Sequence, residues 1–174
     1  MKLLAEISDA TLGIGEREET GKNYELTKNV RAILRKEDGT IAVQHISNRN
    51  FHKLPGGAVD GAESLEEALK REIKEEVGCD SIIHKCIGMT IEYREQHKLI
   101  QVAYCFVADV IEPISEPELE QSEIDEGLIT LWMKPEEAIT QMGVDVPNNY
   151  HGPFILKREL AFLREFVNRL TMLT

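Results

Sequence analysis

Residues 56–78, GGAVDGAESLEEALKREIKEEVG, join a glycine-rich loop to a helix-like run whose acids lie where its apolar face should be. Each helical residue turns the chain by about 100°, so every position can be assigned to a face. An apolar stripe follows from this count, formed by Leu65, Ala68, Leu69 and Ile73. Glu72 and Glu76 fall within about 20° of the centre of that stripe, and Glu75 lies at its edge. The helix therefore turns carboxylates toward the protein core.

Buried acids need a compensating charge. An ionised carboxylate against apolar side chains costs several kcal/mol unless it is paired, and three acids in five positions also repel one another. A hard divalent cation removes both penalties, and an oxygen-only ligand set suits Mg²⁺, for which Mn²⁺ can substitute. Because no histidine or cysteine joins the cluster, zinc is a poor candidate. A solvated helix with acids distributed by chance is the alternative. The face that the acids share with the leucines, and the Gly-Gly loop before them, favour a metal site.

Hydrophobic periodicity and turn residues predict the remaining elements. Two β-runs in 29–46 surround a turn at 37–39, and a loop covers 47–57. The helix spans 64–77 and ends at Gly78, which occupies the position after the last turn. The other predicted elements are a strand at 1–7, a polar connection at 13–23, a hairpin of 82–93 and 99–111, an acidic loop at 112–126, a strand at 128–133, a helix from Pro135 and an amphipathic helix at 154–170.

These elements predict one domain over residues 1–174, because 174 residues suffice for a single core and no linker interrupts them. Strands and helices mix without regular βαβ alternation, which indicates an α+β fold or a mixed-sheet sandwich. The composition, 42% hydrophobic and 29% charged, is that of a globular protein.

Charge and composition exclude several classes of function. The formal net charge of −11 argues against binding to long nucleic acid, which needs a basic surface. No segment approaches the roughly 18 apolar residues that cross a membrane, and the N-terminus lacks the core of a signal peptide. Three cysteines, Cys79, Cys86 and Cys105, have no CxxC spacing, so we expect reduced core residues and a cytoplasmic setting.

The pattern from Gly57 to Cys79 resembles the Nudix box, GX5EX7REUXEEXGU, in which U is aliphatic. Gly57, Glu63 and residues 71–78, REIKEEVG, occupy every fixed position at the right spacing. The single departure is Cys79 in the last aliphatic position, a conservative change in packing terms. Seven specified identities over 23 residues make the resemblance specific, although it covers only about an eighth of the chain.

The resemblance implies an α/β/α sandwich with a mixed sheet and metal-dependent hydrolysis of a pyrophosphate bond. It implies that Glu72, Glu75 and Glu76 hold divalent cations, together with the carbonyl of Gly57. The resemblance also implies that Glu63 and Arg71 pair and orient the loop–helix–loop, so that Arg71 joins the catalytic set and Gly56, Glu63 and Gly78 have structural roles. Glu75 is the first choice for general base. Some family members instead take an acid from a late loop, which here offers Glu120, Glu123 and Glu126, and Glu123 is also a candidate metal ligand.

The substrate is much less constrained. Arg31, Arg49 and Lys53 are candidate phosphate contacts, and Phe51, His52 and Tyr93 could stack on a base, although sheet packing explains these aromatic residues at least as well. The additional sequence signatures that NADH pyrophosphatases and ADP-ribose pyrophosphatases carry downstream of the box are missing. The small size resembles mutator-type enzymes that act on (oxidised) nucleoside triphosphates.

Other functions stay open. They are hydrolysis of a nucleotide sugar, a dinucleoside polyphosphate or a capped RNA end, a non-catalytic nucleotide sensor, and an acidic cation-binding protein without catalysis. In every enzymatic case the expected partner is a small nucleotide, and a homodimer is expected from the resemblance alone.

Overall fold

The computed structural model describes residues 1–16 and 23–172. Seven strands and five helices follow one another along the described chain. They are β1 (Leu3–Ser8), α1 (Asp9–Leu12), β2 (Glu25–Arg35), β3 (Ile41–Ile46), β4 (Phe51–Lys53), α2 (Leu65–Val77), β5 (Asp80–Arg94), β6 (Leu99–Ile111), α3 (Gln121–Glu126), β7 (Leu128–Met133), α4 (Pro135–Val144) and α5 (Gly152–Thr171).

The strands form one mixed sheet. Its order is β1-β5-β6-β2-β3-β4, and β7 pairs with the other edge of β3. β1 runs parallel to β5, and β2 runs parallel to β6. The pairs β5–β6, β2–β3, β3–β4 and β3–β7 are antiparallel. This mixture confirms the α+β class and excludes a regular doubly wound fold.

The sheet opens between β2 and β3. These strands share one register pair, Arg35 with Ile41, and then separate. Residues 55–59 enter the gap and bond to the exposed edge of β2, where the Val30 amide donates to the Gly57 carbonyl at 2.9 Å. The glycine-rich loop thus completes the edge of a central strand, which fixes the position of the helix that follows it.

Helices cover both faces of the sheet, and side chains alternate between them along β2. Toward α2, the strand contributes apolar side chains to a core that includes Ala68, Leu69 and Ile73. Toward α4 and α5, Ile33 joins a second core that includes Phe162 and Leu163. The mixed-sheet sandwich expected from the sequence is therefore present.

Most predicted elements are confirmed, and three short ones were missed. No element was predicted at 9–12, where the structure has α1. The loop predicted at 47–57 contains β4, and the loop predicted at 112–126 contains α3. β4 has three residues, which is too short for an alternating pattern to be visible. None of the six residues of α3 is buried, so α3 has no apolar stripe that could reveal it. Part of the polar connection predicted at 13–23 lies outside the described residues.

The three cysteines are free thiols. Cys79 and Cys105 are buried and Cys86 is half-buried, as the sequence predicts. Burial raises the pKa of the Cys79 thiol to about 11, which disfavours the reactive thiolate. Among the described helices, none is long and apolar enough to cross a membrane.

Candidate active site

The loop before α2 begins with two glycines that no larger residue could replace without a shift. Gly56 has a φ of +125°, and a Cβ there would lie 2.2 Å from the carbonyl oxygen of Val30. A Cβ on Gly57 would lie 2.4 Å from both carboxylate oxygens of Glu72. The backbone of the loop therefore approaches β2 on one side and a box carboxylate on the other.

Helix α2 is fixed at both ends. Ser64 and Glu67 form a reciprocal capping box at its start, and Gly78 adopts the left-handed conformation at its end with a φ of 78°. Glu72 and Glu76 are 9% and 1% exposed, which confirms the face deduced from the sequence. The side chain of Glu75 is 36% exposed and lies at the edge of the buried stripe.

Arg71 connects the loop to three glutamates. Its Nη2 lies 2.8 Å from Glu63, and its Nη1 lies 2.8 Å from Glu72 and 3.1 Å from Glu75. Nη2 also donates to the Ala58 carbonyl at 3.1 Å. These bonds, the one to Glu63 first, raise the pKa of Arg71 above its ordinary value, and the same bond holds the pKa of Glu63 below its ordinary value. The predicted Glu63–Arg71 pair is present.

Glu76 has separate partners. Its Oε2 accepts a hydrogen bond from the Gly56 amide at 2.6 Å, and its Oε1 accepts one from Lys53 Nζ at 2.7 Å. The half-buried Glu123 of α3 lies close enough to Glu76 for their charges to interact. Burial first, and then Glu76, raise the pKa of Glu123 to about 7. Burial and Glu76 also raise the pKa of Glu72. The structure thus brings Lys53 and Glu123 to the box carboxylates.

The candidate ligand atoms have the chemistry that a divalent cation prefers. Every candidate ligand is an oxygen, two of the carboxylates are buried, and Gly57 leaves space beside one of them. In residues 1–16 and 23–172, no three Asp, Glu, His or Cys side chains converge on a point that could hold a metal ion. Arg71 and Lys53 instead occupy the carboxylate oxygens, so an entering cation would compete with them for these oxygens.

Arg49 and His52, two other predicted substrate contacts, have partners outside this cluster. Arg49 pairs with Glu126 at 3.4 Å, and both side chains are about half exposed. The His52 ring is buried, stacks on His45 with ring centroids 4.4 Å apart, and lies 2.9 Å from Asp145. Their substrate roles stay predictions.

The two predicted stacking residues other than His52 differ in burial. Phe51 is 3% exposed in the core beneath α5. Tyr93 is half-buried on β5. A stacking role for either side chain stays a prediction.

Arg31 is buried in a charged layer that sequence reasoning missed. Its Nε donates to Glu159 Oε1 at 3.2 Å, and burial, followed by the charge of Arg158, lowers its pKa. Arg158 in turn lies 2.9 Å from Glu92. Arg158, Glu159 and Glu92 are all 0% exposed. The layer connects β2, β5 and α5 beneath the sheet, and no local spacing in the sequence indicates it.

The fold and the site together define a class of protein. It is a mixed-sheet sandwich in which a glycine-rich loop precedes a helix that turns carboxylates inward. The model of the NUDIX domain family matches residues 25–151, so this chain belongs to that family. Nudix hydrolases act on pyrophosphate bonds and generally need divalent metal ions. The resemblance of the box is therefore confirmed.

Relatives with known names match only part of the chain. An RNA pyrophosphohydrolase of Marinomonas sp. (strain MWYL1) is 36% identical over 76 residues, which are 42% of this chain and 47% of that protein. An ADP-ribose pyrophosphatase of Methanocaldococcus jannaschii is 30% identical over 84 residues, 47% of this chain and 50% of that protein. The matches thus span about half the length of these relatives.

The structure of a NUDIX hydrolase from Nitrosomonas europaea superposes with a TM-score of 0.61 over 83% of this chain and 90% of that one. At 14% sequence identity, this likeness shows the fold alone.

Proposed function

We propose that this protein hydrolyses a pyrophosphate bond in a small nucleotide with the help of a divalent cation. The observation that carries the proposal is the burial of Glu72 and Glu76 against the Gly56–Gly57 loop, on a helix that could have placed them in solvent. Mg²⁺ is the proposed ion and Mn²⁺ a substitute, because both favour oxygen ligands.

The proposed ligands are Glu72, Glu75, Glu76 and the carbonyl oxygen of Gly57. That carbonyl already accepts a bond from the Val30 amide, and its second lone pair remains for a cation. A divalent cation bound there would neutralise negative charge on the pyrophosphate and lower the pKa of the attacking water. Arg71, which bonds to Glu72 and Glu75, orients both carboxylates.

In the proposed reaction, water adds to one phosphorus while the P–O bond of the anhydride breaks, giving two phosphate-bearing products. A base must take one proton from that water. We assign this role to Glu75, because its partly exposed carboxylate lies between the buried ligands and solvent. Glu123 is the competing candidate, since it lies beside Glu76.

For the substrate, we propose a mutator-type activity on (oxidised) nucleoside triphosphates. The formal charge of −11 favours a small substrate over RNA. The alternatives from the sequence remain nucleotide sugars, dinucleoside polyphosphates and RNA 5′ ends. The names of the partial relatives also suggest RNA 5′ ends and add ADP-ribose, although the signature of ADP-ribose pyrophosphatases is missing from this sequence. A sensor that binds nucleotide without turnover is the non-enzymatic alternative.

A substrate panel tests the proposal. Release of phosphate or pyrophosphate is measured with ordinary and oxidised deoxynucleoside triphosphates, ADP-ribose, a UDP-sugar, a diadenosine polyphosphate and 5′-triphosphorylated RNA, each with Mg²⁺ and with Mn²⁺. We expect turnover of at least one nucleoside triphosphate that is abolished by chelation of the metal. Tight nucleotide binding without turnover by the wild-type protein would instead establish the sensor.

Three variants test the site itself. Glu75→Gln and Glu76→Gln should each lower turnover by roughly 100-fold or more, since removal of a general base or a buried ligand carries an effect of that order. Glu66→Gln, on the exposed face of the same helix, is the matched control and should keep full turnover. Intact turnover in both Glu75→Gln and Glu76→Gln would refute the mechanism.

The setting and assembly of the protein are further proposals. The three free thiols, two of them buried and one half-buried, agree with a reducing compartment such as the cytoplasm. A homodimer, expected from the resemblance, is tested by sedimentation over a range of protein concentrations.

A further inference from the structure

A hollow of about 450 Å³ lies on the face of the sheet opposite α2. Its apolar floor is formed by Ile87, Val107, Phe166 and Leu170. The first three belong to the core beneath α5 and are at most 7% exposed, whereas Leu170 is 40% exposed at the edge. No residue of the box lines the hollow. Its volume falls within the range of about 300–1,000 Å³ that is usual for pockets that bind small molecules.

The rim of the hollow is cationic. Arg35, Lys85 and Arg169 line it with one acid, Asp109, and Glu165 pairs with Arg169 at 2.8 Å, which leaves three cations against two acids in a chain whose formal net charge is −11. His84 completes the rim. A local excess of positive charge in such an acidic protein attracts anions to this face.

Asp109, the acid on the rim, already has two partners. Arg35 Nη2 lies 2.7 Å from Asp109 Oδ1, and His84 Nε2 lies 2.7 Å from Asp109 Oδ2. Arg169 is held in place by its bond to the Ile87 carbonyl at 2.6 Å and by its pair with Glu165 at 2.8 Å. Asp109 therefore offers little repulsion to an anion, and the Lys85 side chain stands exposed beside the apolar floor.

We propose that this hollow binds a small amphipathic organic anion, with its apolar body against Leu170 and the floor beside it and its anionic group at Lys85. The charge of Lys85 and the exposed edge of the apolar floor together select this class, because a neutral ligand would leave the Lys85 charge unpaired and a small inorganic anion would leave Leu170 exposed to water. The proposal does not depend on the proposed function, since no residue of the box takes part.

The probe for this site is 8-anilino-1-naphthalenesulfonate, an amphipathic anion that fluoresces in apolar surroundings. We expect saturable binding at one site per chain, which weakens as NaCl is raised because salt screens an exposed ion pair. Lys85→Glu should weaken binding by roughly three- to tenfold, the effect of reversing one exposed charge. Leu170→Glu should weaken it further, since it also removes apolar contact.

Exposed residues elsewhere give matched controls. Lys70→Glu on the outer face of α2 and Leu26→Glu on β2 should leave binding unchanged. Urea midpoints show that each variant is folded, which separates site binding from binding of the dye to loosened protein. Three results would overturn the proposal. They are the absence of saturable binding, binding by Lys85→Glu and Leu170→Glu that is as tight as binding by the wild-type protein, and binding of the neutral analogue N-phenyl-1-naphthylamine that is as tight as binding of the anionic dye. Dimerisation that is lost in Leu170→Glu, without dye binding, would assign the face to a second copy instead.

Discussion

Two adjacent glycines in the loop before α2 have different constraints, so their substitution should have different results. At Gly57, the atoms that a Cβ would meet are the end of the Glu72 side chain, which can move. We expect Gly57→Ala to lower turnover by about 100-fold through a displaced carboxylate, and to change the free energy of unfolding by less than about 1 kcal/mol. Enzyme assays and urea unfolding of the same protein measure both quantities.

Gly56→Ala is the comparison for that prediction. There, a Cβ would meet backbone atoms of Val30 and Arg31, and the φ of +125° disfavours any other residue. We expect a loss of more than about 2 kcal/mol in the free energy of unfolding. If Gly57→Ala destabilised the protein as much as Gly56→Ala, the space beside Glu72 would have a structural role and not a role in ligand geometry.

We expect Glu123 to help bind the metal ion and not to act as the general base. Its side chain interacts with Glu76 and also bonds to the Glu120 amide, where glutamine preserves the cap. We therefore expect Glu123→Gln to raise the Mg²⁺ concentration needed for half-maximal activity by about tenfold or more, with little change in turnover at saturating metal. A titration of activity against Mg²⁺ separates the two effects. Glu116→Gln, exposed in the same acidic segment, is the control. If turnover at saturating Mg²⁺ instead fell by about 100-fold, the role of base would pass from Glu75 to Glu123.

At the scale of elements, α2 shows what a sequence can determine. Its bounds follow from periodicity and from Gly78, and the burial of Glu72 and Glu76 follows from counting angles. These are local properties, so the chain itself contains them. The partners of those carboxylates are not local. Lys53 and Glu123 reach Glu76 only because β4 and α3 fold beside it, and both elements were missed.

Helix α5 shows the opposite case. Periodicity predicts its apolar face, but it assigns no partner to the buried pair Arg158 and Glu159. Arg158 bonds to Glu92, 66 positions away, and Glu159 bonds to Arg31, 128 positions away. A charged residue in a helical pattern is ordinarily solvated, and only the tertiary fold shows which charges meet in the interior. Sequence reasoning therefore could not distinguish Arg31 from a surface cation.

This buried layer should be sensitive to the loss of one partner. Glu159→Gln removes the anion between Arg31 and Arg158 and leaves both guanidinium groups buried with less compensation. We expect a loss of about 3–5 kcal/mol in the free energy of unfolding, measured by urea denaturation with an unchanged m-value. Glu165→Gln on the same helix should cost less than about 1 kcal/mol, because the side chains of its partners Lys2 and Arg169 are 60% and 33% exposed. Equal losses in the two variants would contradict a special role for the buried layer.

At the scale of the whole molecule, the layer also links stability to pH. Burial alone would raise the pKa of Glu92, but the charges of Arg158 and Arg94 hold it below the ordinary value of 4.5. A carboxyl with a lowered pKa stabilises the fold above its unfolded value and loses that contribution as the pH falls through the folded value. We expect the urea midpoint to fall as the pH drops below about 4.5, where the unfolded chain binds more protons. A midpoint that stays constant from about pH 6 to about pH 3 would contradict this expectation.

Metal binding should also be visible as stability of the whole chain, independently of catalysis. The acids exceed the bases by 31 to 20, and the box adds buried carboxylates that a divalent cation would neutralise. A ligand that binds only the folded state stabilises it by RT ln(1 + [L]/Kd), which is about 2.7 kcal/mol at 100 times Kd. We therefore expect the melting temperature at about pH 8 to rise with Mg²⁺ or Mn²⁺ beyond the effect of NaCl at equal ionic strength. Glu76→Gln should reduce this rise and Glu66→Gln should keep it, since only Glu76 lies against the Gly56 amide. An identical rise in both variants would show that the ions act by general screening of the acidic surface, and the metal site proposed on α2 would then be wrong.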